Sequence, residues 1–389
     1  VIQFVPKSFC RKVGPFLLVL LFLGFGKSKP EPYFDPIESE EPILPKQYVP
    51  DEYINTRTGK RYIFKDTTKL LFAGDTMFNW GVRETIEKNG YEDSFREWKP
   101  IFEKADLRFL NLETPIIQKH RSGTRDKSYV FYGFEEDIEF LKYLNLSAVF
   151  LGNNHAMDFD AEGLSDTIKL LNKHSIPHLG AGMDENSAFG SKTFPTKAGE
   201  IWMLSTSEVG ERHLFARGSR PGVAYFYESK VIQILKANQR SNPRIRPILN
   251  LHWGWEYNPE PSPGQKKSAY RMIDAGFDAI VGHHPHIPQG IEIYKGKPIV
   301  YSLGNFVFGS KNAYLNHNLV LIMHYKKNRL FALELIPAFG KFFASEFAYH
   351  PLDPEEADVF LEEYSILCKK LGTKLEIRGG RGYVFLDTK

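Results

Sequence analysis

The chain is poor in cysteine, short of net charge and without an apolar run long enough to cross a bilayer comfortably. Cys10 and Cys368 are the two cysteines in 389 residues, which excludes a disulfide framework and any cysteine-based metal site. A formal charge of +3 is small for this length. With no basic stripe of interleaved aromatics, it gives no case for binding nucleic acid. The apolar run at residues 15–25 falls short of the roughly 20 residues that a membrane helix needs. There is no tandem repeat. Histidine is scarce too, 12 in all, yet three stand together in AIVGHHPHIPQG, residues 279–290.

What is present describes a folded chain. Apolar residues make up 42% and charged residues 25%, which excludes a mainly disordered protein. The 31 Phe and 19 Tyr supply a large core. Lys7, Arg11 and Lys12 precede the apolar run, and Gly24-Phe25-Gly26 follows it as a weak small-x-small cleavage site. Residues 1–26 therefore read as a signal peptide or an uncleaved membrane anchor, with the remainder exported. Residues 27–66 begin with a proline- and acid-rich stretch and read as a linker and lead-in.

From Lys69 onward one event recurs. LLFAGD, LRFLNLE, AVFLGNNH, ILNLHWG, AIVGHHPH and IVYSLGNF each end an apolar run in polar, chemistry-bearing residues. Short runs of this kind suit strands buried on both faces. Helical spacing lies between several of them: Phe95, Trp98 and Phe102 in one stretch, Leu164, Ile168 and Leu171 in another, and SAYRMIDAG, which Gly276 stops. The alternation predicts an α/β fold, with its site beyond the carboxyl ends of the strands. Asp75, Glu113, Asn154, His155, His252 and the 283–286 cluster are then expected on one rim. Carboxylate, amide oxygen and imidazole suit divalent Mn, Fe or Zn. The mixture suits two ions roughly 3.5–4 Å apart sharing a carboxylate, the equipment of a hydrolase.

In this order the motifs GD, NLE, GNNHAMD, HWGWEY, GHHPH and SLGNF resemble the bacterial capsule-synthesis CapA family, also called the poly-γ-glutamate synthesis PgsA type. The resemblance runs from about Lys69 to Gly309. It implies a four-layer αββα sandwich like that of the calcineurin-like metallophosphoesterases, over residues 67–312. Residues 313–389 would add strands and a helix that complete the fold. It implies Asp75 as first metal carboxylate, Glu113 as bridging carboxylate, Asn154 as amide ligand, and His252, His284 and His286 as imidazole ligands. His155 would be the metal-free proton donor, oriented by Asp158. His283 stands as a substitute for His284 or as a substrate or supporting contact. Glu256 is read equally as a substrate contact or as surface packing, and Asn305 as a substrate or ligand-loop contact or as turn chemistry. Trp253 and Trp255 are read as core packing ahead of the alternative, walls of the pocket.

The superfamily pattern begins Asp-x-His, but Asp75-Thr76-Met77 puts a thioether, a poor ligand for a hard ion, where the histidine belongs. Two functions follow as expectations. One is an exported, membrane-anchored metal hydrolase of phosphoester type, serving capsule or exopolymer synthesis and acting on an anionic polymer or a phosphoester. The other is a non-catalytic component working with membrane capsule-synthesis proteins. Amide hydrolysis is within reach of a dinuclear site as well, and nothing in the residues selects it.

Overall fold

Gly74 and Gly304 explain how two sheets come to share one rim. An added Cβ at Gly74 would lie 2.0 Å from the Gly304 carbonyl oxygen, so only glycine permits the approach. The Asp75 N–H donates to that same oxygen at 3.0 Å. Gly304 has φ 74°, and there the SLGNF run breaks into two strands, Lys297–Leu303 and Asn305–Val307. The first belongs to one sheet and the second crosses to the other, pairing Asn305 with Asp75. One apolar run in the sequence is thus two strands in space.

The computed structural model describes residues 52–54, 61–119, 127–309, 317–343 and 346–386. The apolar segment expected as a signal or anchor lies outside these residues, as does most of the linker. The larger sheet runs in the order Glu376–Arg378, Arg381–Phe385, Arg329–Phe343, His317–Lys326, Thr68–Thr76, Leu107–Leu112, Ala148–Phe150, His178–Leu179. Its last four strands are parallel. The second sheet runs Pro288–Tyr294, Lys297–Leu303, Ala279–His283, Arg246–His252, Gly199–Ser207, Lys192–Thr196. Its four central strands are parallel as well.

Side-chain alternation sorts the strands into layers. Leu70 and Phe72 enter a core shared with Ile248, Val281 and Val300 of the second sheet, whereas Leu71 faces helix residues such as Leu164 and Leu171. On the far side Leu249, Leu251 and Ile280 pack against Val231, Leu235, Ala269 and Met272 of two further helices. The order helix, sheet, sheet, helix is the four-layer αββα sandwich.

One helix follows local rules closely. Pro263–Ala275 starts on a capping box, in which Ser262 Oγ accepts from the Gln265 N–H at 3.1 Å, and stops at Gly276 with φ 119°. The expected single helix through Phe95, Trp98 and Phe102 is instead two, Gly81–Phe95 and Lys99–Glu103. Pro100 fits only the first turn of the second piece. All three aromatics still reach the same core.

At the other end of the molecule Glu334 is buried between Arg381 Nη1 at 2.6 Å and His324 Nε2 at 2.8 Å. Burial alone would raise its carboxyl. The Arg381 charge and the His324 hydrogen bond outweigh it and hold the pKa at about 2, below the ordinary 4.5. A depressed folded-state pKa stabilises above 4.5 and loses that stabilisation as pH falls toward 2. Urea midpoints should therefore drop on acidification below about 4.5, and the acid-sensitive component should shrink in Glu334→Gln. An unchanged profile in the variant would refute this account.

Candidate metal centre

Strand ends deliver the side chains. Asp75 lies near the end of Thr68–Thr76, Glu113 just past Leu112, Asn154 in the turn after Ala148–Phe150, and His252 and His283 at the ends of their strands. His284 and His286 follow on either side of Pro285, both with positive φ, 96° and 58°. Such backbone is strained for a side-chain-bearing residue and is found where function demands it. It turns both rings to the same rim.

The convergence expected from sequence is present in the geometry. Asp75, Glu113 and His286 bring one ligand atom each within 4.8 Å of one another, and so do Glu113, His252 and His284. Glu113 belongs to both groups. Asn154 Oδ1 is 2.8 Å from His252 Nε2. The exposed Glu256 forms a third such group with His284 and His286, which places it at the mouth of the site.

Asp75 and Glu113 differ sharply in their surroundings. Burial pushes the Asp75 carboxyl up, but hydrogen bonds and charge from His283 and His286 more than reverse this and hold it well below the carboxylate range. The His284 backbone N–H also donates to it, at 3.2 Å. Glu113 is raised well above its ordinary value, first by burial and then by the charges of Asp75, Glu256 and Asp158. Neither of its carboxylate oxygens has a hydrogen-bond partner among the described residues. Burial and the charge of His284 keep His252 well below 6.5, and burial takes His284 down to about 3. Neutral imidazoles beside an unpartnered buried carboxylate are the donor set that a divalent cation requires, so these residues fit the metal that the chemistry implies.

The remaining expected residues fall around this core. His155 Nδ1 lies 2.7 Å from Asp158 Oδ2, and its ring lies tilted against Phe131 with centroids 4.1 Å apart. The two residues sit in a turn rather than on the helix, which begins at Asp160. His283 has no exposed surface, and its Nδ1 is 3.3 Å from Asp75 Oδ1. That place suits a supporting partner of Asp75 and is closed to substrate. Asn305 Oδ1 lies 2.9 Å from His286 Nδ1 and steadies that ring. Met77 is fully buried, and its sulfur accepts from the Asn79 N–H at 3.1 Å, turned into the fold. Trp253 is core, but Trp255 is 66% exposed and so departs from the core reading.

Two contributors were not picked out from the sequence. Asn111 donates from Nδ2 to Asp75 Oδ1 at 2.8 Å and is fully buried. A polar residue inside an apolar strand was its signal. Lys127 Nζ donates to Asp158 Oδ1 at 2.6 Å and to the Asn154 carbonyl at 3.0 Å. Nothing near it in sequence marks it. Asn153 Oδ1 caps the His155 and Ala156 N–H groups at 3.2 and 2.9 Å.

The family model described as "Bacterial capsule synthesis protein PGA_cap" matches residues 69–310, the segment that carries every strand end described above. The chain is 31% identical to the PGA biosynthesis protein CapA of Bacillus subtilis over 273 residues, covering 70% of this chain and 71% of that one. It is 29% identical to the capsule biosynthesis protein CapA of Bacillus anthracis, covering 69% and 66%. A probable polyglutamine synthesis accessory protein of Mycobacterium tuberculosis is 33% identical over 215 residues, just over half of each chain at 52% and 56%. Haemophilus influenzae NAD nucleotidase is similar at 16% identity and a TM-score of 0.40, over 75% of this chain and 60% of that one. On the family match and the Bacillus subtilis likeness together, the chain belongs to the bacterial capsule synthesis PGA_cap family.

Proposed function

We propose that the chain is a divalent-metal hydrolase of the cell envelope, cleaving an oxyanion ester, phosphate above all, in the making of an anionic capsule polymer. The Glu113 carboxylate carries the reading: fully buried, without a hydrogen-bond partner among the described residues, and common to two ligand groups. A buried carboxylate without a hydrogen bond is costly enough that proteins neutralise it or pair it; with only His252 Nε2 near it, at 3.4 Å, a cation is the relief that the neighbouring imidazoles also favour. Asp75, Glu113 and His286 would hold one ion. Glu113, His252, His284 and the Asn154 amide oxygen would hold a second. Bound there, the ions would supply charge stabilisation at the substrate oxyanion and acidify a water.

The protein's own part is proton transfer and positioning. Asp158 accepts from His155 Nδ1 at 2.7 Å, which orients the ring and would stabilise its doubly protonated imidazolium form, whose Nε2–H would supply the proton to the leaving oxygen and leave the neutral ring behind. Lys127 and the Phe131 N–H, at 2.6 and 2.8 Å, hold Asp158 in turn. Asn111 and His283 orient Asp75 from behind, the supporting shell that ligands of this kind need. The basic and apolar N-terminal pattern supports a membrane-anchored place outside the cytoplasm, with membrane polymer-synthesis proteins as partners. The relatives named for PGA and capsule biosynthesis support the polymer.

Met77 favours a second reading. With a buried thioether where the superfamily has histidine, the first ion has three protein ligands here, and the centre would be structural in a non-catalytic member of a polymer-synthesis complex.

Two measurements separate these readings. Purified protein loaded with Mn or Zn should hold stoichiometric metal, and His252→Ala or Glu113→Gln should lose it. Asn111→Ala should weaken metal affinity by about 10–100-fold. Absence of bound metal at saturating supply would sink both readings. His155→Ala should keep its metal, lower phosphoesterase kcat by about 10²–10⁴-fold, and fail to restore capsule in a capsule-deficient strain. Full restoration by that variant would favour the non-catalytic reading.

A further inference from the structure

A cavity of about 860 Å³ lies off the end of Gly199–Ser207, the strand paired with the one that ends at His252, and its wall includes Arg212, His213, Arg217, Arg220, Glu185 and Glu208. Glu208 ties this wall to the neighbouring strand end, its N–H donating to the His252 carbonyl at 2.9 Å. The loop that carries the arginines is built rather than loose. Arg217 and Arg220 exchange backbone hydrogen bonds across a tight turn, at 3.3 and 3.0 Å. The turn is fastened to the Glu185–Ala188 helix by two more, from the Gly218 N–H to Glu185 Oε2 at 2.8 Å and from the Glu185 N–H to the Gly218 carbonyl at 2.9 Å.

Charge on this wall is unbalanced. Arg220 donates to the carbonyls of Arg212 and Phe215, at 3.2 and 2.8 Å, so its charge is held in place and not neutralised. Among the described residues, neither Arg212 nor Arg217 has a carboxylate within ion-pair distance. Glu185 is already engaged by Lys230 and the Gly218 N–H. Glu208 is left as the one carboxylate against three guanidiniums. His213, its side chain 37% exposed, has its Nδ1 3.1 Å from Glu211, while its Nε2 atom is buried without a hydrogen-bond partner among the described residues. An orphaned buried donor or acceptor is costly unless a ligand meets it.

We infer that this cavity is a subsite for an oligomeric carboxylate, which it would hold while a neighbouring segment of the same chain lies at the metal centre. The assignment deepens the function proposed above and rests on it for why a polymer would be there. Guanidiniums from three points of one loop match charges spaced along a chain better than one compact anion, and Arg pairs with carboxylate through two parallel hydrogen bonds. The cavity is also far roomier than a single phosphate needs.

The test is calorimetric binding of a synthetic γ-linked oligoglutamate to the full chain, with bound metal measured in the same samples. Wild-type protein should bind it with an affinity that weakens as salt is raised. Arg212→Ala/Arg217→Ala should bind roughly tenfold more weakly or worse, with metal content and melting temperature unchanged. Should the double variant melt early, Arg217→Glu on its exposed turn should give the same loss. Equal affinity in wild type and variants would overturn the assignment. So would arginine-dependent binding of tripolyphosphate without binding of oligoglutamate. Arginine-dependent binding of oligoglutamate by a protein that takes up no metal would sink the hydrolase and leave the subsite standing.

Discussion

The contact between Gly74 and the Gly304 carbonyl is the constraint on which the site depends. It joins the ends of two sheets closely enough for the Asp75 N–H to bond across, and it delivers Asn305 beside Asp75. Asp75 comes from the first sheet and His252, His284 and His286 from the second, so without that junction the ligand groups would not exist as groups. A methyl at position 74 would collide with backbone, which cannot move aside as a flexible side chain can. The small residues in the motifs are therefore as much part of the chemistry as the histidines.

Bringing these side chains together is unfavourable in isolation. Two carboxylates and several imidazoles lose their water at the rim, and the fold meets the cost unevenly. Asp75 is fully supported, by Asn111, His283, His286 and a backbone N–H. Glu113 has no hydrogen bond among the described residues and a single imidazole contact, His252 Nε2 at 3.4 Å. One carboxylate is pre-arranged and the other left in want of a positive charge, and such opposed environments mark groups with different tasks. Around them lies a layer of amides: Asn153 caps the His155 turn and donates to Asn111 Oδ1 at 3.1 Å, and Asn305 faces His286.

Much of this was legible in the sequence, because strands buried on both faces read as continuous apolar runs and their polar ends stand out. The positions of Asp75, Glu113, His252, His284 and His286 at one rim could be argued from that alone. Asn111 was harder, since its role arises from facing Asp75 across a parallel pair, a register that only the folded sheet supplies. Lys127 reaches Asp158 from 31 residues away in the chain, with no local pattern to betray it. The division of SLGNF between two sheets was hidden for another reason. An apolar run that changes sheets at a glycine has the same periodicity as one that does not. The burial of His283 likewise follows from its place on the strand beside His252, and not from its membership of a histidine cluster.

The position of the Thr68–Thr76 strand has a consequence for assembly. One of its edges is paired by Leu107–Leu112, close behind it in the chain, while the other is paired by Asn305–Val307 at the Asp75 end and, over residues 68–72, by His317–Lys326, which sets Phe72 against Leu321. Contacts between such distant parts of a chain form slowly, because loop closure must precede any gain. Until residues near 321 arrive, the strand that bears Asp75 is an open edge able to pair with other chains. Truncation ahead of His317 would thus leave most of that edge unpaired at the heart of the molecule, where the hairpin now covers it.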